Sequence, residues 1–255
     1  MSTVGRPPRS AGAKVGSAVK ELVIVVVGAL IVSSLLRAFV GQMFIIPSES
    51  MESTLLVDDR VVVLKVADFE RGDIVVFTDP GGWLDDEVPS RGPVGRALEF
   101  VGVLPKQAGA EHLIKRVVGM PGDRVVCCDA DERLTVNGRP LDESGYLYTD
   151  YSGVQVAPSD VRFDVTVPRD RLFVLGDHRD VSGDSRCHLS DVSTLGPPGT
   201  TAFVPVDDVV GPAVALAFPL SRAETFDRPA AYADVPAPAR PAPAEPVIEP
   251  EGVSC

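Results

Sequence analysis

Residues 112–128 read HLIKRVVGMPGDRVVCC. Two Val-rich runs, HLIKRVV and RVVCC, flank Gly119-Met120-Pro121-Gly122-Asp123, residues that close one strand and turn the chain into the next. The same short, Val-rich units bounded by Gly, Pro or Asp recur on both sides: RVVVLKV from Arg60, DIVVFT from Asp73, LTV from Leu134, FDVTV from Phe163, RLFVL from Arg171 and VVGPAVALAF up to Phe218. No long helical periodicity interrupts them. Asn137-Gly138, between Leu134-Thr135-Val136 and Arg139-Pro140-Leu141, predicts a two-residue hairpin, because both turn positions need positive φ. The body is therefore predicted to be mainly antiparallel β.

Upstream the pattern changes. Leu22 to Leu36 runs LVIVVVGALIVSSLL, and after Arg37 the apolar character resumes as AFVGQMFII. The two pieces can span a bilayer, with Arg37 snorkelling to the headgroups, and a transmembrane helix is predicted over 21–41. A basic segment followed by an apolar core also describes a cleavable signal peptide. Against that, no small-x-small site follows the core cleanly, and the best catalytic motif begins almost at once at Pro47. Residues 1–20 carry Arg6, Arg9, Lys14 and Lys20 with no acid, which places the N-terminus in the cytoplasm and the body outside.

The whole chain has 24 basic and 36 acidic residues, a net charge of −12, so everything after residue 20 sums to −16. Such a body repels phosphate backbones, and nucleic acid is excluded as a partner. The four cysteines, Cys127, Cys128, Cys187 and Cys255, lack the paired C-x-x-C spacing of a zinc site, so no metal is expected. One of Cys127 and Cys128 could bridge Cys187 in an oxidising compartment, and free buried thiols are the alternative. Residues 79–110 read as a long Gly/Pro-rich insert in which LEFVGVL could pack as a short element. Residues 222–255, with a proline every few positions among Ala and Glu, are predicted to be a disordered tail beyond a 42–221 catalytic domain.

Three segments carry the chemistry. In FIIPSESMESTL, residues 44–55, two hydroxyls flank one residue just past the span; the bland reading is a capped turn. A serine nucleophile needs a base within reach. His112, His178 and His188 are the only histidines, and a Ser-His-Asp set from His178 with Asp177 or Asp184 stays open. The other candidate is Lys115, on an apolar strand whose burial would disfavour the ammonium. The third segment, Gly176 to Arg186, is either a solvated loop or a support that fixes a catalytic side chain.

Taken together and in this order, the segments resemble the boxes of bacterial type I signal peptidases: Ser-x-Ser-Met near the membrane, Lys-Arg-Val-Val-Gly-Met-Pro-Gly-Asp at 115–123, and the Gly-Asp-x-Arg-Asp-x-Ser-x-Asp-Ser-Arg loop. The likeness runs from the anchor to about Phe218, and the Gly-Gly-Trp insert and Cys-Cys pair are similar to actinobacterial members. It implies an antiparallel β-sheet catalytic domain behind one transmembrane helix, Ser50 as nucleophile and Lys115 as general base. It further implies that Ser48 helps form the oxyanion hole, that Ser182 orients the Lys115 amine, and that Asp184 and Arg186 pair to hold the loop. Phe44, Ile46, Met51, Leu55 and Ile114 match the positions lining small pockets for Ala-x-Ala side chains, with the peptide extended between residues 43–48 and 112–115.

Three positions depart from the family pattern. Ser53 stands where proline is usual, His178 where Asn is common, and Cys187-His188-Leu189-Ser190-Asp191-Val192-Ser193 replaces an aromatic stretch. The resemblance implies a cofactor-free endopeptidase that removes signal peptides from exported preproteins at the outer face of the cytoplasmic membrane. The rivals are a Ser-Lys peptidase of another purpose, such as the self-cleaving repressor type, and an inactive membrane-tethered β-domain that binds partners.

Overall fold

The computed structural model describes residues 11–84, 92–100, 106–107, 111–194, 196–249 and 255. It opens with helix α1, Ala11–Phe39, whose stretch Ala18–Leu36 has a mean hydropathy of 2.3 and is a candidate membrane span by length and composition. The helix starts earlier than the apolar run: Ala11, Ala13 and Lys14 favour helix, no proline intervenes, and Gly12 is tolerated at the first turn.

Nine strands form the larger sheet: β1 (Gly41–Ile45), β2 (Arg60–Leu64), β3 (Ile74–Thr78), β4 (Lys106–Gln107), β5 (His112–Gly119), β10 (Arg171–Leu175), β11 (Val204–Pro205), β12 (Val209–Phe218) and β13 (Glu224–Thr225). Their order is β11-β10-β5-β3-β12-β2-β1-β4, with β13 on β12, and every pairing is antiparallel except β1 with β4. The second sheet orders β14 (Val247–Glu249), β9 (Phe163–Thr166), β6 (Arg124–Cys127), β7 (Thr135–Val136) and β8 (Arg139–Pro140). Asn137 and Gly138 have φ of 53° and 79° and join β7 to β8, as the hairpin reading requires.

Each Val-rich strand buries a face. Val125, Val136, Phe163 and Val165 of the smaller sheet pack with Phe173 and Phe203, while Phe44, Val61, Val63, Val76 and Ile114 fill a second cluster beneath β1, β2 and β3. Every residue of β5 is buried, so its two cations, Lys115 and Arg116, lie inside the protein and each needs a partner or a shifted proton affinity.

The insert is described only in part: α2 (Pro93–Phe100) covers the first half of the LEFVGVL element, and the rest lies outside the described residues. Before it, the carboxylate of Asp79 accepts the N–H groups of Gly81, Trp83 and Leu84, and the Trp83 indole donates to the Thr201 carbonyl at 2.9 Å.

Two expectations are corrected. The tail predicted to be disordered is packed on the body: Tyr232 is buried against Tyr146, and β14 pairs with β9. The reason is that a proline, which cannot donate, still offers its carbonyl. Asn137 donates to Pro236 O and the Arg169 N–H to Pro243 O, both at 2.8 Å. The cysteines also pair differently, Cys127 with Cys128 and Cys187 with Cys255, because the packed tail brings the last residue to the loop that carries Cys187.

Candidate active site

After β1 the chain makes a single 3-10 turn, Glu49–Met51, in which Ser50 and Met51 are both buried. Apolar Phe44, Ile46, Met51 and Leu55 pull this turn onto the sheet, where they join Ile114 of β5 in one cluster. All five expected pocket residues are thus brought together. Beyond the turn, Ser53 has φ of 87°, a conformation proline cannot adopt, so the departure from the family pattern changes the backbone and not only the side chain.

The antiparallel register of β5 against β3 sets Lys115 opposite Val75, and its side chain reaches the serine turn. Lys115 Nζ lies 2.5 Å from Ser50 Oγ, and Ser48 Oγ lies 3.3 Å from the same oxygen. Burial strips water from the ammonium and pulls the Lys115 pKa down to about 8; the carboxylates of Asp184 and Asp177 act against the fall, and Arg186 adds to it. The proton affinity of the amine is thus lowered at a position where it contacts the Ser50 hydroxyl.

The loop after β10 closes around this pair. The backbone N–H of His178 donates to the Ser50 carbonyl at 3.1 Å. Asp184 accepts from the Gly176 N–H at 3.0 Å and from Arg186 through Nε and Nη2 at 2.8 and 2.9 Å, and Arg186 also donates to the Arg179 carbonyl. Burial works to raise the Asp184 pKa, yet the charge and hydrogen bonds of Arg186, with help from Gly176 and Lys115, hold it below the ordinary carboxylate value. The expected Asp184–Arg186 pairing is thus present.

Ser182 differs from expectation. It is buried beside Gly176, but its hydroxyl forms no hydrogen bond to Lys115 or to any other described residue. Lys115 points to Ser50 instead. The histidines are engaged elsewhere: His178 stacks on Tyr148 at 3.8 Å, His188 bonds Asp191 at 2.6 Å and stacks on Trp83, and His112 packs against the ring of Phe44.

Several supports escaped the sequence reading. Arg116 binds Asp177 through Nε and Nη2 at 2.8 and 2.6 Å, lies over the Tyr146 ring, and shares Asp177 with the Thr54 hydroxyl, so β5, the serine turn and the loop are tied at one carboxylate. Arg179 is held by Glu143 and by the Gly176 and Pro158 carbonyls. The available signal was two successive cations in an apolar strand, which cannot both face solvent.

The sequence profile of the family described as "Signal peptidase, peptidase S26" matches residues 19–218. The chain is 36% identical over 228 residues to a signal peptidase I of Mycobacterium tuberculosis (strain ATCC 25618 / H37Rv), a match covering 81% of this chain and 74% of that one. It is 32% identical over 202 residues to a signal peptidase I of Leptolyngbya laminosa, covering 77% and 78%. A solved signal peptidase I from Enterococcus faecalis V583 covers 58% of this chain and 97% of its own at 21% identity, with a TM-score of 0.32. With the mycobacterial match as the actinobacterial likeness anticipated, the chain belongs to the signal peptidase family, peptidase S26.

Proposed function

We propose that this peptidase cleaves signal peptides from exported preproteins after an Ala-x-Ala-like motif through a Ser50–Lys115 dyad. The observation that carries the reading is the 2.5 Å contact between Nζ and Oγ at a lysine whose pKa is lowered to about 8. At pH 7 such a lysine is neutral in about one molecule in ten, against roughly one in three thousand for an ordinary one.

Neutral Lys115 takes the Ser50 proton as Oγ attacks the scissile carbonyl, and the Ser50 N–H with the Ser48 hydroxyl receives the developing oxyanion. The Lys115 ammonium then protonates the departing amine. In the second half it deprotonates the water that releases the acyl group from Oγ. Asp184 and Arg186 hold the loop that closes on the serine turn. The cluster of Phe44, Ile46, Met51, Leu55 and Ile114 supplies the apolar surface for small side chains, and the peptide adds as a strand between residues 43–48 and 112–115.

In this reading α1 anchors the protein in the cytoplasmic membrane with its N-terminus inside and the sheets outside, in contact with the lipid bilayer. No cofactor, metal or nucleic acid takes part. The test is incubation of the detergent-solubilised protein with a preprotein bearing an Ala-x-Ala site, followed by N-terminal sequencing of the product. Cleavage after the second alanine is expected; an intact preprotein, or a cut elsewhere, overturns the reading.

A further inference from the structure

Strand β1 has one edge on β2 and the other turned away from it. The Ile46 N–H donates to Asp59 O and the Lys65 N–H to Val40 O, both at 2.9 Å, so the even-numbered residues of this segment bond β2. Antiparallel alternation then directs the backbone groups of Met43 and Ile45 to the outer edge. The start of β5 lies close to β1, the Phe44 and His112 rings being 5.3 Å apart. Residues His112–Lys115 pair with β3 on one side, while β10 joins β5 only from Arg116 onward. An extended segment lying here would meet two edges at once.

The place is taken by the chain itself. Lys106–Gln107, β4, runs parallel to β1 with Lys106 opposite Phe44 and Gln107 opposite Ile45. It is the one parallel pairing among the described strands, and it comes from the insert rather than from the sheet's own succession of strands.

We propose that β4 is an internal competitor that holds the outer edge of β1 until an extended peptide displaces it. The inference rests on the substrate path given above, in which the peptide adds as a strand beside residues 43–48. Its physical sense is twofold. An unpaired edge invites adventitious strands, and a chain-borne strap covers it. A strap only two residues long gives way to a longer peptide that can bond both β1 and β5, so a peptide too short to reach both gains little by displacing it.

The experiment compares the full-length protein with a variant carrying Lys106→Pro and Gln107→Pro, which removes the one β4 donor that this register turns toward β1, the Lys106 N–H, and so weakens the pairing that covers the Ile45 N–H. A control carrying Lys106→Ala and Gln107→Ala keeps that donor. Amide exchange at Ile45 and steady-state cleavage of the same preprotein are measured for each. Where the strap is closed about nine-tenths of the time, opening it lowers KM by about tenfold with kcat unchanged. Exchange at Ile45 should quicken by a similar factor, and the alanine control should match the parent in both.

Faster exchange with an unchanged or raised KM overturns the competition, as does an equal effect in the alanine control. Equal exchange at Ile45 in parent and proline variant shows that β4 does not hold the edge, and overturns the proposal whether or not the protein cleaves. Absence of cleavage in all three proteins, with the exchange difference present, overturns the functional reading and with it the competitor role.

Discussion

A Cβ added to Gly176 would stand 2.4 Å from the carbonyl oxygen of Ser50 and 2.2 Å from the hydroxyl of Ser182. The loop can therefore close on the serine turn only because this residue has no side chain. Gly176→Ala should push the turn away from Lys115. Overpacking of this kind costs about 1–3 kcal/mol. Placed on the nucleophile it should lower kcat by about tenfold or more, at roughly 1.4 kcal/mol per decade, with the circular dichroism spectrum retained. A variant with parental kcat would show that the contact is not needed.

Lys115 links activity to stability through pH. An unfolded lysine keeps its proton to about pH 10.4, whereas the folded one releases it near 8. Between those values the unfolded chain binds more protons, so stability rises with pH across that window, and the cost of the buried ammonium is fully present below pH 8. Lys115→Met should abolish cleavage while raising unfolding free energy at pH 7 by up to about 3 kcal/mol, a gain that fades towards pH 10. Denaturant titrations at the two pH values check the sign. In the parent, the cleavage rate should climb with an apparent pKa of about 8, and Lys115→Arg should be inactive because its guanidinium stays protonated.

The tail should matter for folding. Tyr232 is buried, donates to or accepts from Tyr146 at 3.0 Å, and joins a cluster that includes Val118, Phe163 and Phe173. Removing residues 219–255 exposes that cluster, and we expect a lower thermal midpoint and increased dye binding. Tyr232→Ala alone should cost about 3 kcal/mol, in the range of other large core truncations. An unchanged midpoint in the truncated protein would show that the packed tail contributes nothing.

Cys255 is fastened to the short turn Ser185–His188, next to Arg186. Cys187 bonds Cys255 across a sequence separation of 68, a loop length whose closure in the unfolded state corresponds to about 4 kcal/mol on the chain-entropy account. Non-reducing digestion should yield one peptide pair joining these residues and an internally linked Cys127-Cys128 peptide. Cys255→Ser should lower the midpoint under oxidising conditions and leave it unchanged under reducing ones. A Cys128–Cys187 cross-link would contradict the pairing.

Much of the site was legible because its residues are tied to local pattern. Val-rich alternation marks β5, and Lys115 within it signals a buried amine. Ser50 lies five residues past the apolar strand β1. What escaped depends on contacts distant in sequence. Nothing near Arg116 shows that its partner is Asp177, nor that Ser182 would be left without one. The tail was misread because proline density was taken as a lack of side chains to bury, whereas a single tyrosine and a few proline carbonyls suffice to hold it. The insert gave no strand signal at Lys106–Gln107, since two residues show no alternation and their pairing is set by the β1 edge.

The eleven residues Val40–Ser50 join the end of α1 to Ser50, and five of them are straightened in β1. Even fully extended they reach no further than roughly 35–40 Å. With α1 in a bilayer, the segment acts as a fixed tether: it sets the greatest height above the lipid at which a peptide bond can be cut. A preprotein whose scissile bond is carried beyond that height by a lengthened hydrophobic segment or spacer would pass out of range, however well its residues suited the pockets.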